Sequence, residues 1–100
     1  MNIGPASKIT DVIISKSNLH KLTIIKNRNI SDNSIKNLSS LIYLKLNDTK
    51  ITDNSIKYLT RLKYLYLCEN NFITAYALIN MVNLQELYFF CIIRLLQIMF

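Results

Sequence analysis

The side chains that could perform acid–base, nucleophilic or metal chemistry are few in this chain. His20 is its one histidine, Cys68 and Cys91 are its two cysteines, and Asp11, Asp32, Asp48, Asp53, Glu69 and Glu86 are its six carboxylates. A catalytic nucleophile needs a base beside it, and a zinc site needs closely spaced Cys or His ligands. His20 has no obvious acid or thiol partner, and no Cys-x-x-Cys pair is present. Asp11, Asp32 and Asp53 each follow a Thr or Ser and recur every 21 residues, the position and type of a helix cap rather than of a general acid. Asp48, Glu69 and Glu86 remain, and three carboxylates without a cleft do not make an active site. The expectation is a non-enzyme with no cofactor and no metal, for which a small-molecule substrate is disfavoured.

The recurring aspartates belong to longer recurring elements. Residues 30–46 read ISDNSIKNLSSLIYLKL and residues 51–67 read ITDNSIKYLTRLKYLYL, with eleven of seventeen positions identical. A Leu-x-x-Leu-x-Leu step recurs as Leu19-Leu22-Ile24, Leu41-Leu44-Leu46, Leu62-Leu65-Leu67 and Leu84-Leu87-Phe89, at intervals of 22, 21 and 22 residues. An isolated amphipathic helix would drift toward a period of about 3.6, and chance clustering would not keep the internal spacing in every copy.

The composition fits one small folded unit. Just over half of the 100 residues are apolar, enough for a core, and Gly4 and Pro5 are the only glycine and proline, which excludes a Gly-rich phosphate loop or a Gly/Ser linker. The net charge of +6 comes from nine scattered lysines and three arginines without a consecutive basic run. The abundance of Ile, Lys, Asn and Tyr matches A/T-rich codons, so a low-GC genome accounts for much of the basicity, and a nucleic-acid patch is disfavoured. The first residues lack an apolar run, so no signal peptide is visible. Free thiols in a reducing compartment are favoured over a disulfide, and a cytoplasmic location follows as the expectation.

The chain resembles a leucine-rich repeat protein, whose unit is written L-x-x-L-x-L-x-x-N/C-x-L. The resemblance spans residues 9 to 89. Asn27 and Asn70 occupy the asparagine position, with Thr49 there in the copy between them. The text around Thr52-Asp53 is similar to the T-D-x-x-L/I variety, and to arrays appended to some F-box proteins, although the cysteine usual in those is missing. The fold class this implies is α/β: a right-handed leucine-rich-repeat solenoid, with a short parallel inner sheet and short helices on the outer face. The domain reading is an irregular lead-in at residues 1–8 and a repeat domain at 9–91, followed by a hydrophobic tail or improvised cap at 92–100. Within the repeat domain, a partial repeat at 9–18 precedes units starting near 19, 41, 62 and 84.

Within one unit, alternate strand residues point to opposite faces, so Leu44 and Leu46 face the core while Tyr43 and Lys45 face out. The spacing predicts capped helices over residues 33–39 and 54–60, where Ile35 with Leu38, and Ile56 with Leu59, lie on one face. Residues 73–81 lack the aspartate and retain Thr74 as a cap. Lys36 and Lys57 fall on the wet face. The asparagine positions are expected to bond the backbone of the turns.

Stacking the units in register brings the outward residues together. Lys21, Tyr43, Tyr64 and Glu86 form one row, and Thr23, Lys45, Tyr66 and Tyr88 the next. The candidate partner-binding residues are therefore Lys21, Tyr43, Lys45, Tyr64, Tyr66, Glu86 and Tyr88. Tyrosine pairs a large apolar body with a polar tip, the type of residue that anchors protein interfaces. The functional expectation is a protein–protein interaction module or scaffold presenting a tyrosine-rich concave sheet surface. One alternative is a truncated or split fragment of a larger leucine-rich-repeat receptor or ubiquitin-ligase adaptor. Another is a weak nucleic-acid or anionic-surface binder acting through Lys21, Lys26 and Lys45. The tail is too short and too interrupted by Arg94 for a membrane span, and shows no polar cap.

Overall fold

Alternation of apolar and outward side chains at Leu22/Ile24, Leu44/Leu46 and Leu65/Leu67 dictates strands, and the Ser/Thr-Asp text between them dictates turns into helix. The computed structural model describes residues 1–89 and shows this alternation throughout; Cys91 and the segment 92–100 lie outside the described residues. The elements are β1 (Asn2–Ile3), α1 (Asp11–Ser15), β2 (Lys21–Ile25), α2 (Asp32–Ile35), β3 (Tyr43–Asn47), α3 (Asp53–Ile56), β4 (Tyr64–Cys68), a 3-10 turn (Ala75–Leu78) and β5 (Glu86–Phe89).

The five strands form one parallel sheet in the order β1-β2-β3-β4-β5, which does not close into a barrel. Sequence neighbours are thus spatial neighbours, an α/β repeat architecture compatible with a solenoid. The register joins equivalent residues: Leu22, Leu44, Leu65 and Leu87 lie in one row, and Ile3, Ile24, Leu46, Leu67 and Phe89 in another. A slip of one residue would turn every core leucine to solvent, so burial of one face fixes this pairing.

The core runs between the sheet and the helices. Leu22, Ile24, Leu44, Leu46 and Leu65 from the strands are fully buried, as are Ile35, Leu41, Ile56 and Leu62 from the return segments. Each such side chain contributes about 1.5–3 kcal/mol relative to remaining exposed. Ile30, Ile51 and Ile73 close each loop from below and are also buried, although two of them come one residue late in the repeat. The extra residue is absorbed in the loop, where no strand register is at stake.

The helices are shorter than the spacing predicts. They stop at Ile35 and Ile56, after which the chain continues in three-residue turns: Leu38 N–H donates to Ile35 O and Leu41 N–H to Leu38 O. The same steps join Ile56, Leu59 and Leu62, and then Leu78, Met81 and Leu84. Side chains three apart eclipse in such turns, so one apolar residue in three reaches the core without a full α-helical period. The first eight residues also differ from the expected irregular lead-in, because Asn2–Ile3 pairs with β2. The Met1 amine donates to Lys21 O at 2.9 Å, Thr23 N–H donates to Met1 O at 2.8 Å, and Ile3 is buried opposite Ile24. A two-residue strand is too short to show a period of two, which is why the sequence hides it.

Loops are tied as the asparagine positions suggest. The Asn70 amide donates to Leu46 O (2.6 Å) and Cys68 O (3.0 Å), while its Oδ1 accepts from Thr49 N–H (3.2 Å) and Thr49 Oγ1 (2.8 Å). Asn27 donates to Gly4 O at 3.1 Å and accepts from Asn29 N–H at 3.0 Å. Just before each of these positions the chain passes through the left-handed region, at Lys26 (φ 52°), Asp48 (φ 52°) and Glu69 (φ 55°). Non-glycine residues resist that conformation. No helix among the described residues is long and apolar enough to cross a membrane.

Candidate functional site

The face of the sheet opposite the core leucines, covered by no element among the described residues, carries the seven residues singled out from the sequence. Register pairs Lys21 with Tyr43, Tyr43 with Tyr64, and Tyr64 with Glu86; in the next row Lys45 pairs with Tyr66, and Tyr66 with Tyr88. All seven therefore lie on one surface, with the fully buried Leu22, Leu44 and Leu65 on the opposite side of the same strands.

Close ring contacts join the tyrosines diagonally as well as directly. Tyr43 and Tyr66 have ring centroids 5.2 Å apart at 41°, and Tyr66 and Tyr88 stack at 5.0 Å and 14°. Tyr43 and Tyr64 are more distant, at 6.5 Å. The ladder runs Tyr43–Tyr66–Tyr88, with Tyr64 beside it. Offset and tilted pairs at these distances contribute about 0.5–1.5 kcal/mol beyond area burial. Tyr88 remains half exposed at the end of the ladder, at 50%.

The two ends of the surface differ in charge. At one end Lys21 Nζ sits 4.5 Å from the Tyr43 ring centroid, a cation–π contact. Lys45 lies between Thr23 and Tyr66, and among the described residues no carboxylate forms an ion pair with either lysine. At the other end the Tyr66 hydroxyl donates to Glu86 Oε2 at 2.7 Å. That hydrogen bond, with desolvation and the carboxylate charge adding to it, pushes the Tyr66 phenol up to about 12. Tyr66 thus stays protonated and holds the carboxylate in place.

Sequence reasoning missed two participants. Asn2 lines a shallow depression of ≈ 390 Å³ together with Lys21, Thr23, Tyr43 and Lys45. It escaped notice because its strand was invisible. Gln85 lies beside the tyrosines, with its Oε1 3.5 Å from the Tyr64 hydroxyl, too long for a strong bond. Its position directly before β5 was the available signal.

The aspartates that begin α1, α2 and α3 form a separate structure. Ser31, Thr52 and Thr74 cap their turns, each side-chain oxygen accepting from the backbone N–H two residues on. The aspartates instead reach forward into the next unit. Asp11 accepts from the backbone and hydroxyl of Ser31, Asp32 from those of Thr52, and Asp53 from those of Thr74. Burial alone would raise the Asp11 carboxyl, but the hydrogen bonds from Ser31 and Ser34, helped by Lys50, outweigh it and leave the group below its ordinary value. These carboxylates are occupied in joining units. His20 is exposed, and no group of three or more potential metal ligands occurs among the described residues.

No protein-family model and no curated protein matches the chain.

Proposed function

We propose that the chain is a non-catalytic interaction module of the leucine-rich-repeat type, in which a right-handed solenoid presents the tyrosine-bearing sheet face, as its concave side, to a protein partner. The observation that carries this reading is the ladder Tyr43–Tyr66–Tyr88, with Tyr64 beside it, covered by no element among the described residues, on a sheet whose opposite face buries Leu22, Leu44 and Leu65. A sheet stabilised for its own sake needs aromatic packing only against its neighbours. Here the last ring is half exposed, the hydroxyl of the central ring is tethered, and the first ring is flanked by lysines that form no ion pair among the described residues. Rigid, amphipathic rings lose little entropy on binding, which is what an interface anchor requires.

The test is affinity capture with the wild-type chain and with a variant carrying Tyr64→Ala and Tyr66→Ala, folding being checked by circular dichroism. The double variant is expected to keep its fold and lose the proteins that the wild type retains. Equal capture by a folded double variant refutes the reading.

A further inference from the structure

The charge distribution around the tyrosine ladder specifies the kind of partner. Lys21 on β2 and Glu86 on β5 stand in the same outward row, three strands apart, with Tyr43 and Tyr64 between them. Neighbouring strands are about 4.8 Å apart, so the Cα atoms of these two residues are separated by about 14 Å across the sheet. An extended polypeptide rises about 3.3 Å per residue and turns every second side chain to the same face, which places residues i and i+4 about 13 Å apart on one side. Residue i+2 then falls midway, above the rings of Tyr43, Tyr64 and Tyr66.

We propose that this face binds an extended peptide segment lying across the strands, of pattern acidic-x-apolar-x-basic. The inference rests on the reading of the face as a protein interface and adds its chemistry. The acidic side chain enters the depression lined by Asn2, Lys21, Thr23, Tyr43 and Lys45, where two ammonium groups form no ion pair with a carboxylate among the described residues. The apolar side chain lies on the tyrosines. The basic side chain meets Glu86, whose carboxylate is oriented by the Tyr66 hydroxyl and retains free lone pairs. A uniformly acidic partner would be repelled at Glu86, and a uniformly basic one at Lys21 and Lys45. Because the segment crosses the strands and takes no main-chain bonds from them, the side-chain spacing alone sets its register.

The experiment is an NMR titration of the isotope-labelled full chain with synthetic peptides taken to millimolar concentration. The probe is Glu-x-Phe-x-Arg with threonine at x. Controls are the neutral Gln-x-Phe-x-Gln, the mis-spaced Glu-x-Phe-Arg-x, and a short oligothymidylate. The probe is expected to shift amides of β2 to β5 and to bind about tenfold more tightly than the neutral peptide, the sum of two exposed ion pairs, and about threefold more tightly than the mis-spaced one, which forfeits only the contact with Glu86. Lys45→Ala and Glu86→Gln should each weaken the probe about threefold while leaving the neutral peptide unaffected. Equal binding of probe and neutral peptide on this face overturns the charge pattern and leaves the interface reading standing. An oligothymidylate that binds the tyrosines more tightly than the probe overturns the proposal in favour of nucleic acid. Absence of any shift with the probe also overturns it, and the tyrosine double variant then decides the interface reading separately.

Discussion

Replacing Asp32 by alanine tests how one unit is joined to the next. Asp32 Oδ1 accepts from Thr52 N–H at 2.9 Å and from Ser55 Oγ at 2.6 Å, while Oδ2 accepts from the Thr52 hydroxyl. Hydrogen bonds to a charged acceptor contribute about 1.5–3 kcal/mol each, but the half-buried cap of Thr52 regains water when the carboxylate is removed. Ser55, which is fully buried, keeps a second acceptor in Thr52 O at 3.4 Å. The expected loss is about 2–4 kcal/mol, a large share of the total stability of a chain this size, about 5–15 kcal/mol. In urea denaturation followed by circular dichroism at neutral pH, the midpoint should fall by about 2 M for a slope near 1.5 kcal/mol/M. Asp32→Asn retains one acceptor for Thr52 N–H and should lose only about 1 kcal/mol. Arg28→Ala removes the exposed ion pair with Asp48 and should cost less than about 1 kcal/mol. An Asp32→Ala variant no less stable than Arg28→Ala would refute the view that the carboxylate joins the units.

Three further outcomes are expected. Glu69→Gly should raise stability by about 0.5–1 kcal/mol, because residue 69 holds φ 55° and glycine has no Cβ to clash there, while Glu69→Ala should give no gain in the same urea denaturation. In an ultraviolet titration one tyrosine should ionise near pH 12, and Glu86→Gln should bring that step back toward 10; an unchanged profile would contradict the Tyr66–Glu86 bond. For Asp11 the folded carboxyl lies below its unfolded value of 3.8, so its stabilising contribution is complete above that pH and disappears as the pH falls through the folded value. Asp11→Asn should therefore flatten the acid limb of a stability–pH curve, and an unaltered limb would count against the Ser31 contacts.

Much of the sheet's outward surface was legible because strand side chains alternate strictly and the repeat keeps one length. Once Leu44 and Leu65 face inward in register, Tyr43 and Tyr64 must face outward side by side. The aspartate chain was only half legible. The Thr-Asp text pointed to a cap, and Ser31, Thr52 and Thr74 are caps, but the aspartates bond across units, a partnership between residues 21 or 20 apart that local spacing does not express. Helix length was misjudged for a related reason. A three-residue turn and an α-helix place Ile35 and Leu38 on one face equally well, so the apolar pair does not distinguish them.

The sequence by itself determined the period, the division of side chains into core and surface rows, and the identity of the seven residues that share the open face. Each follows from local geometry repeated at a constant interval, which one chain writes out several times. Tertiary structure alone decided that Asn2–Ile3 joins the sheet, that Tyr66 stacks on Tyr88 and holds Glu86, and that Lys21 and Lys45 share a depression with Asn2. Those contacts depend on how neighbouring strands set their side chains against one another, and distance across a sheet is not written along a chain.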